Sequence, residues 1–131
     1  MNKLGLNFGM QGVQFSATST VAENQTLSYP MYLHSISCNN DNQDIVSMGT
    51  NSALLTSKVI ENTFQVLAIE FMALVQAVDA LDSQDKISST SLRIYKRIRK
   101  ILPKFEKDLP KYKEIKGVRD FLVNEKIEIS V

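Results

Sequence analysis

A chain of 131 residues with 44% apolar content has the size of one domain folded around a core, which excludes a disordered segment. Its net charge of +1 conceals a division, with 3 Lys+Arg against 8 Asp+Glu through Lys86, a net of −5, and 12 against 6 after it, a net of +6. The single cysteine, Cys38, excludes an internal disulfide and a multi-cysteine metal site, and MNKLGLNFGMQG lacks the apolar stretch and cleavage site of a secretion signal, so a reducing cytoplasm is the expected location.

The first predicted helix runs from Leu6 to Leu27, free of proline, with Phe8, Val13, Phe15, Val21 and Ala22 at loosely helical spacing. Its Ser16, Thr18, Ser19 and Thr20 weaken helix propensity, so tertiary packing must hold it. Pro30, Tyr29, Tyr32, His34, Cys38 and the polar cluster Asn39, Asn40 and Asp41 then mark a loop over about residues 28–44. Asp41 or Asn42 is suited to cap a second helix from Asp44 to Leu81.

At 1.5 Å per residue that helix would be about 57 Å long, against a radius of gyration of about 14 Å for a compact domain of this size. Between Phe64 and Leu81, Gln65, Gln76 and Asp79 share one narrow face, Glu70 lies nearly opposite, and the rest is apolar. Those four polar residues argue against a membrane span. A helix apolar nearly all round calls for burial among neighbours, some from other subunits, so self-association is expected.

After the polar break Asp82 to Lys86, Ser88 to Thr90 can cap a third helix, Ser91 to Leu102, with Leu92, Ile94 or Tyr95, Ile98 and Leu102 inward and Lys/Arg outward. Pro103 and Pro110 follow, and a last short helix is expected past Gly117 through Val118, Phe121, Leu122 and Ile127. The expected fold class is all-α, a long-helix bundle with a shorter basic helical tail. It divides at Lys86 into a core-helix segment, residues 1–86, and a basic segment, residues 87–131. No internal repeat or low-complexity stretch is present.

Three segments taken together, GLNFGMQGVQFSATSTVAENQTLSYP (Gly5 to Pro30), HSISCNNDNQDIVSMGTN (His34 to Asn51) and VIENTFQVLAIEFMALVQAVDAL (Val59 to Leu81), resemble consecutive parts of the aromatic amino acid ammonia-lyases. That family holds the histidine, phenylalanine and tyrosine lyases and related aminomutases. The match covers the first two-thirds of the chain, and the basic tail resembles the family's C-terminal helices more loosely. The resemblance implies the C-terminal part of an almost all-helical subunit, assembled as a homotetramer around long helices. Its partners would be further copies or a family N-terminal part. The family's electrophile, a methylidene-imidazolone cyclised from Ala-Ser-Gly, has no source in these 131 residues, and the N-terminal region with its tyrosine base is missing too. Ammonia elimination by this chain alone is therefore not expected.

Asn42-Gln43 before Asp44 resembles the Asn-Gln-Asp of the phenylalanine and tyrosine lyases. Neutral amides both donate and accept, so they can orient the ammonium and carboxylate of an amino acid without adding a competing charge. Typical histidine lyases have glutamate at the position of Gln43, which favours an aromatic substrate other than histidine. Asn39 lies in the stretch that approaches the substrate ring in tyrosine-specific relatives. The plainer reading makes Asn39 to Asp44 a turn and helix cap.

Glu70 reads either as a functional carboxylate or as one half of an interface ion pair, and Glu23 and Asn24 either as site-lining or as solvated capping groups. His34, the only histidine, reads as a loop hydrogen-bonder, and no metal site is expected. Cys38 has no activating context. RIYKRIRK (Arg93 to Lys100) and the lysines after it invite a nucleic-acid or membrane reading, but a solvated or subunit-docking face fits them better, and neither partner is expected. The functional expectation is a C-terminal component of a carbon-nitrogen lyase acting on histidine, tyrosine or phenylalanine. A non-catalytic helical oligomerisation module is the alternative.

Overall fold

The computed structural model describes residues 8–30, 33, 39, 40, 42 and 48–125. Within them the chain forms α1 (Met10–Leu27), α2 (Gly49–Ala80), α3 (Ser89–Ile101) and α4 (Tyr112–Asn124), so the expected all-α class is borne out. The core is built from Val13 of α1, Ala68, Ile69, Met72 and Val75 of α2, Ile98 at the end of α3 with Leu102 after it, and Val118 and Phe121 of α4. It therefore draws on both sides of Lys86.

α1 tolerates its hydroxyl-rich sequence because the hydroxyls bond back into the helix. Thr18, Thr20 and Thr26 donate to the carbonyls of Gln14, Ser16 and Ala22, at 3.2, 2.9 and 3.3 Å. Its N-terminus is served from far along the chain, since the amides of Phe8 and Gly9 donate to the Asp108 carboxylate at 2.6 and 3.0 Å. A carboxylate there also meets the positive end of the helix dipole. The inward stripe is Met10, Val13, Ala17 and Thr20. Phe8, Phe15 and Val21, expected as spaced apolar contacts, are instead exposed.

α2 begins later than expected. Its first residue is Gly49 and its N-cap is Met48, in left-handed conformation with no side-chain cap, so Asn42 does not cap it, and residues 43–47 lie outside the described chain. Its 32 residues give a rod of about 48 Å. At 100° per residue, Asn62, Gln65, Gln76 and Asp79 lie on the same side as the buried Ala68, Ile69, Met72 and Val75. The polar face is the inward face. The other side leaves Ile60 and Leu74 half exposed and carries Glu70 in solvent. By length and composition α2 could cross a bilayer, as core helices of soluble proteins also could. Asn62, Gln65, Gln76 and Asp79, however, are all committed to partners within the chain.

α3 starts as its sequence indicates, with Ser88 Oγ accepting from the Ser91 amide at 3.1 Å. It stops because Leu102 is held extended ahead of Pro103. Arg99, on the presumed outward basic face, turns inward and pairs with Asp79, their side chains only 14% and 9% exposed. It also donates to the carbonyls of Val75, Leu102 and Pro103. Gln76 holds the following segment in both directions, accepting from the Phe105 amide and donating to the Phe105 carbonyl, each at 3.1 Å.

α4 extends a full turn before Gly117, so that glycine sits mid-helix and does not precede it. A Cβ at Gly117 would lie 2.7 Å from Ile101 Cγ2, which explains why a residue of poor helix propensity occupies the position. Ile127 lies outside the described residues.

Gly117→Ala should destabilise the chain in urea unfolding. The helix-propensity gain of about 1 kcal/mol is outweighed by an overpacking cost of about 1–3 kcal/mol. Adding Ile101→Leu, which removes the branched methyl, should recover most of the loss.

Tyr95 donates to Asp79, and that bond, with desolvation, raises its pKa above the ordinary tyrosine value. A raised folded value contributes stability that is complete below the unfolded pKa of about 10 and is lost as pH climbs through the folded one. The stability gap between wild type and Tyr95→Phe, about 1–3 kcal/mol at neutral pH for a bond to a charged group, should therefore shrink above pH ~10. A gap that stayed constant in urea titrations would show that the phenol is not what couples to pH.

Candidate functional site

α1 and α2 pack antiparallel. Thr20 meets Gln65, Glu23 and Asn24 meet Asn62, and the exit residues Leu27 to Pro30 face Ser52, Leu55, Thr56 and Val59 across a shallow groove. The connection between Ser28 and Met48 is therefore strung between two adjacent helix ends. At its start the Ser28 amide donates to the Asn24 carbonyl at 3.0 Å and the Ser28 hydroxyl to the Gln25 carbonyl at 2.7 Å. The Leu33 amide then bonds the Pro30 carbonyl at 3.2 Å.

Asn39 and Asn42 belong to one turn, closed by the Asn42 amide donating to the Asn39 carbonyl at 3.2 Å. Asn39 and Asn40 have φ of 54° and 56°, the left-handed region that asparagine enters more readily than other non-glycine residues. All three are exposed. The turn half of the plainer sequence reading is thus correct and the helix-cap half is not. The turn brings the backbones of Asn39 and Asn42 together, with both residues exposed. Gln43, with Asp44, His34 and Cys38, lies outside the described residues.

Glu70 is exposed on a separate groove between α1 and α2, lined by Met10, Gln11, Gln14, Ala17, Val66, Ile69 and Ala73, with no basic side chain. No cluster of His, Cys, Asp and Glu suited to a metal occurs among the described residues. The basic tail is partly consumed internally. Besides Arg99 with Asp79, Arg97 pairs with Glu125 and stacks over Phe121, while Lys111 pairs with Glu114 at 3.1 Å and lies over Phe105. The Tyr95 hydroxyl is held to Asp79 and Arg99 lies over its ring, 5.9 Å from the centroid.

One polar residue escaped the sequence reading. Asn62 is only 6% exposed and donates from a single amide nitrogen to Glu23 Oε2 at 3.0 Å and Asn24 Oδ1 at 2.9 Å. The signal was present, because Asn62 continues the stripe of Gln65, Gln76 and Asp79 toward the N-terminus. A stripe counted only from Phe64 onward leaves it out.

Solved proteins share this arrangement. Tyrosine aminomutase from Streptomyces globisporus superposes with a TM-score of 0.87 at 38% identity, over 92% of this chain and 23% of that one. Histidine ammonia-lyase from Trypanosoma cruzi gives 0.81 at 30% identity, over 91% and 23%. In sequence, histidine ammonia-lyase 1 of Fusobacterium nucleatum is 35% identical over 127 residues, 97% of this chain and 25% of that protein. The similarity therefore continues through the basic tail. The MIO-dependent tyrosine 2,3-aminomutase of Streptomyces globisporus is 38% identical over 118 residues, 90% of this chain and 22% of that protein. The chain spans about a quarter of the length of the curated relatives it matches. The sequence profile of the family described as aromatic amino acid lyase matches residues 1–100. With profile, relatives and superposition in agreement over one continuous stretch, the chain belongs to the aromatic amino acid lyase family.

Proposed function

We propose that this chain is the C-terminal component of a carbon-nitrogen lyase that eliminates ammonia from an aromatic L-amino acid, and that it contributes substrate-orienting amides to the site. The observation that carries the reading is the Asn39–Asn42 turn, exposed between two helix ends, in a chain of this family. Asn42 and Gln43, with Asn39 beside them, bind by donating to the substrate carboxylate and accepting from its ammonium. Being neutral, they leave the charge balance at the reacting carbon unaltered. The family's methylidene-imidazolone, when present, supplies the electrophile. This chain contains no Ala-Ser-Gly and holds no such group itself, so no step is assigned through it. Incompleteness alone and assembly as a homotetramer are parts of the same proposal, supported by the outward apolar side of α2, where Ile60 and Leu74 are each 52% exposed. The same surface favours a second reading, a non-catalytic helical module that associates through α2. The single Cys38 suits a cytoplasmic location.

The test is to co-express the full chain with a family N-terminal part bearing Ala-Ser-Gly and to follow ammonia and unsaturated acid from tyrosine, phenylalanine and histidine. Turnover should need both parts. Asn42→Ala should lower kcat/KM about 100-fold, the scale of losing substrate orientation, and Gln43→Glu should move relative kcat/KM toward histidine. A reconstituted pair inert toward all three substrates would leave the helical module as the function, and turnover by the chain alone would refute its incompleteness.

A further inference from the structure

We propose that Asn62 is a positioning residue that sets the register of α1 against α2 and thereby places the Asn39–Asn42 turn. This rests on the reading of that turn as substrate-contacting. Asn62 is one of two buried polar residues among those described, and its partners lie in the last turn of α1. Asn24 is gripped twice, by its side chain on Asn62 and by its carbonyl on the Ser28 amide, so the link from α2 passes directly into the first residue of the connection. Two acceptors on successive residues of α1 fix both rotation and slide, because moving the helix either way breaks at least one bond. A lone buried amide is a well-attested device for fixing helix register. Aliphatic contacts such as Val13 with its neighbours are non-directional and do not do this.

The control for a merely stabilising role is Gln65, whose bond to Thr20 at 3.2 Å joins the same two helices further from the connection. In the whole chain, Asn62→Asp sets a carboxylate against Glu23, Asn62→Leu removes the donor, and Gln65→Met removes the comparison bond. Backbone amide spectra and hydrogen exchange read Asn39, Asn40 and Asn42 directly. Both Asn62 variants should shift these signals and speed exchange at the Asn42 amide about tenfold, the scale of one lost hydrogen bond, while Gln65→Met leaves them in place. Glu23→Gln added to Asn62→Asp restores a donor facing an acceptor with the polarity reversed, and should return the signals. It also serves if Asn62→Asp alone does not fold. Unshifted signals in folded Asn62 variants, equal shifts in Gln65→Met, or no rescue by the double variant would overturn the proposal. In the reconstituted pair Asn62→Asp should raise KM about tenfold, again the scale of one hydrogen bond, with Gln65→Met unchanged. If the wild-type pair is inert the catalytic reading fails, and the spectra decide the positioning role separately.

Discussion

The inward arc of α2 sets amides and a carboxylate among its aliphatic side chains, Asn62 buried and Gln65, Gln76 and Asp79 partly buried, and the other elements are placed by how those polar groups are satisfied. An unsatisfied buried polar group costs about 1–3 kcal/mol, enough to matter against a typical domain stability of about 5–15 kcal/mol. Each group in the arc therefore recruits a specific partner. Asn62 and Gln65 recruit α1, Gln76 recruits the backbone at Phe105, and Asp79 recruits Arg99 and Tyr95 of α3. The aliphatic residues interleaved with them, Ala68, Ile69, Met72 and Val75, supply the non-directional attraction that holds the layers together.

Helix existence was legible because periodicity and caps are local. Ser88 announced α3 and Pro103 ended it. Polarity was harder to read. Gln65, Gln76 and Asp79 were visible as a stripe, but a stripe does not say which side it faces, and convention puts polar residues in water. Here the stripe is inward because its partners, Thr20, Phe105 and Arg99, come from distant parts of the chain. Arg99 was hidden among four other cations of the same helix, and its inward turn depends on Asp79, 20 positions away. Gly117 marked a boundary in the sequence and a close helix contact in the fold, for only the approach of Ile101 distinguishes the two. Of the candidate site, the Asn39–Asn42 turn could be read from its asparagines. Asn62 could not be assigned a role without knowing that α1 and α2 run antiparallel.

The outward side of α2 has the opposite character. Around Leu74 and Ile60 it presents apolar area whose polar side chains are Glu70 and the threonines Thr56 and Thr63, the hydroxyls of the two threonines already donated to helix carbonyls. Such a surface gives association strength with little specificity of its own. The charge division of the chain is partly offset inside it, since Asp79 of the acidic part pairs with Arg99 of the basic part, while Glu125 pairs with Arg97 within the basic part itself. What remains on the basic tail is more dispersed than the sequence count implied.

α1 shows why directional bonds matter most next to the candidate site. It buries little, with Val13 its only buried aliphatic residue, so packing alone leaves its position loosely determined. Three hydrogen-bonded contacts constrain it along its length, Asp108 on the amides at its start, Gln65 on Thr20 near its middle, and Asn62 on Glu23 and Asn24 in its last turn. The first two can be weakened with the helix still pinned at its far end. The third has no substitute beyond it, because the next residues are the connection itself. A small rotation at Asn24 would be carried to Ser28, whose amide bonds the Asn24 carbonyl, and hydrogen-bond geometry tolerates only a few tenths of an ångström. A buried amide with two acceptors meets this demand better than an aliphatic residue, which would let α1 turn, and it does so without the desolvation cost of burying a second charged side chain.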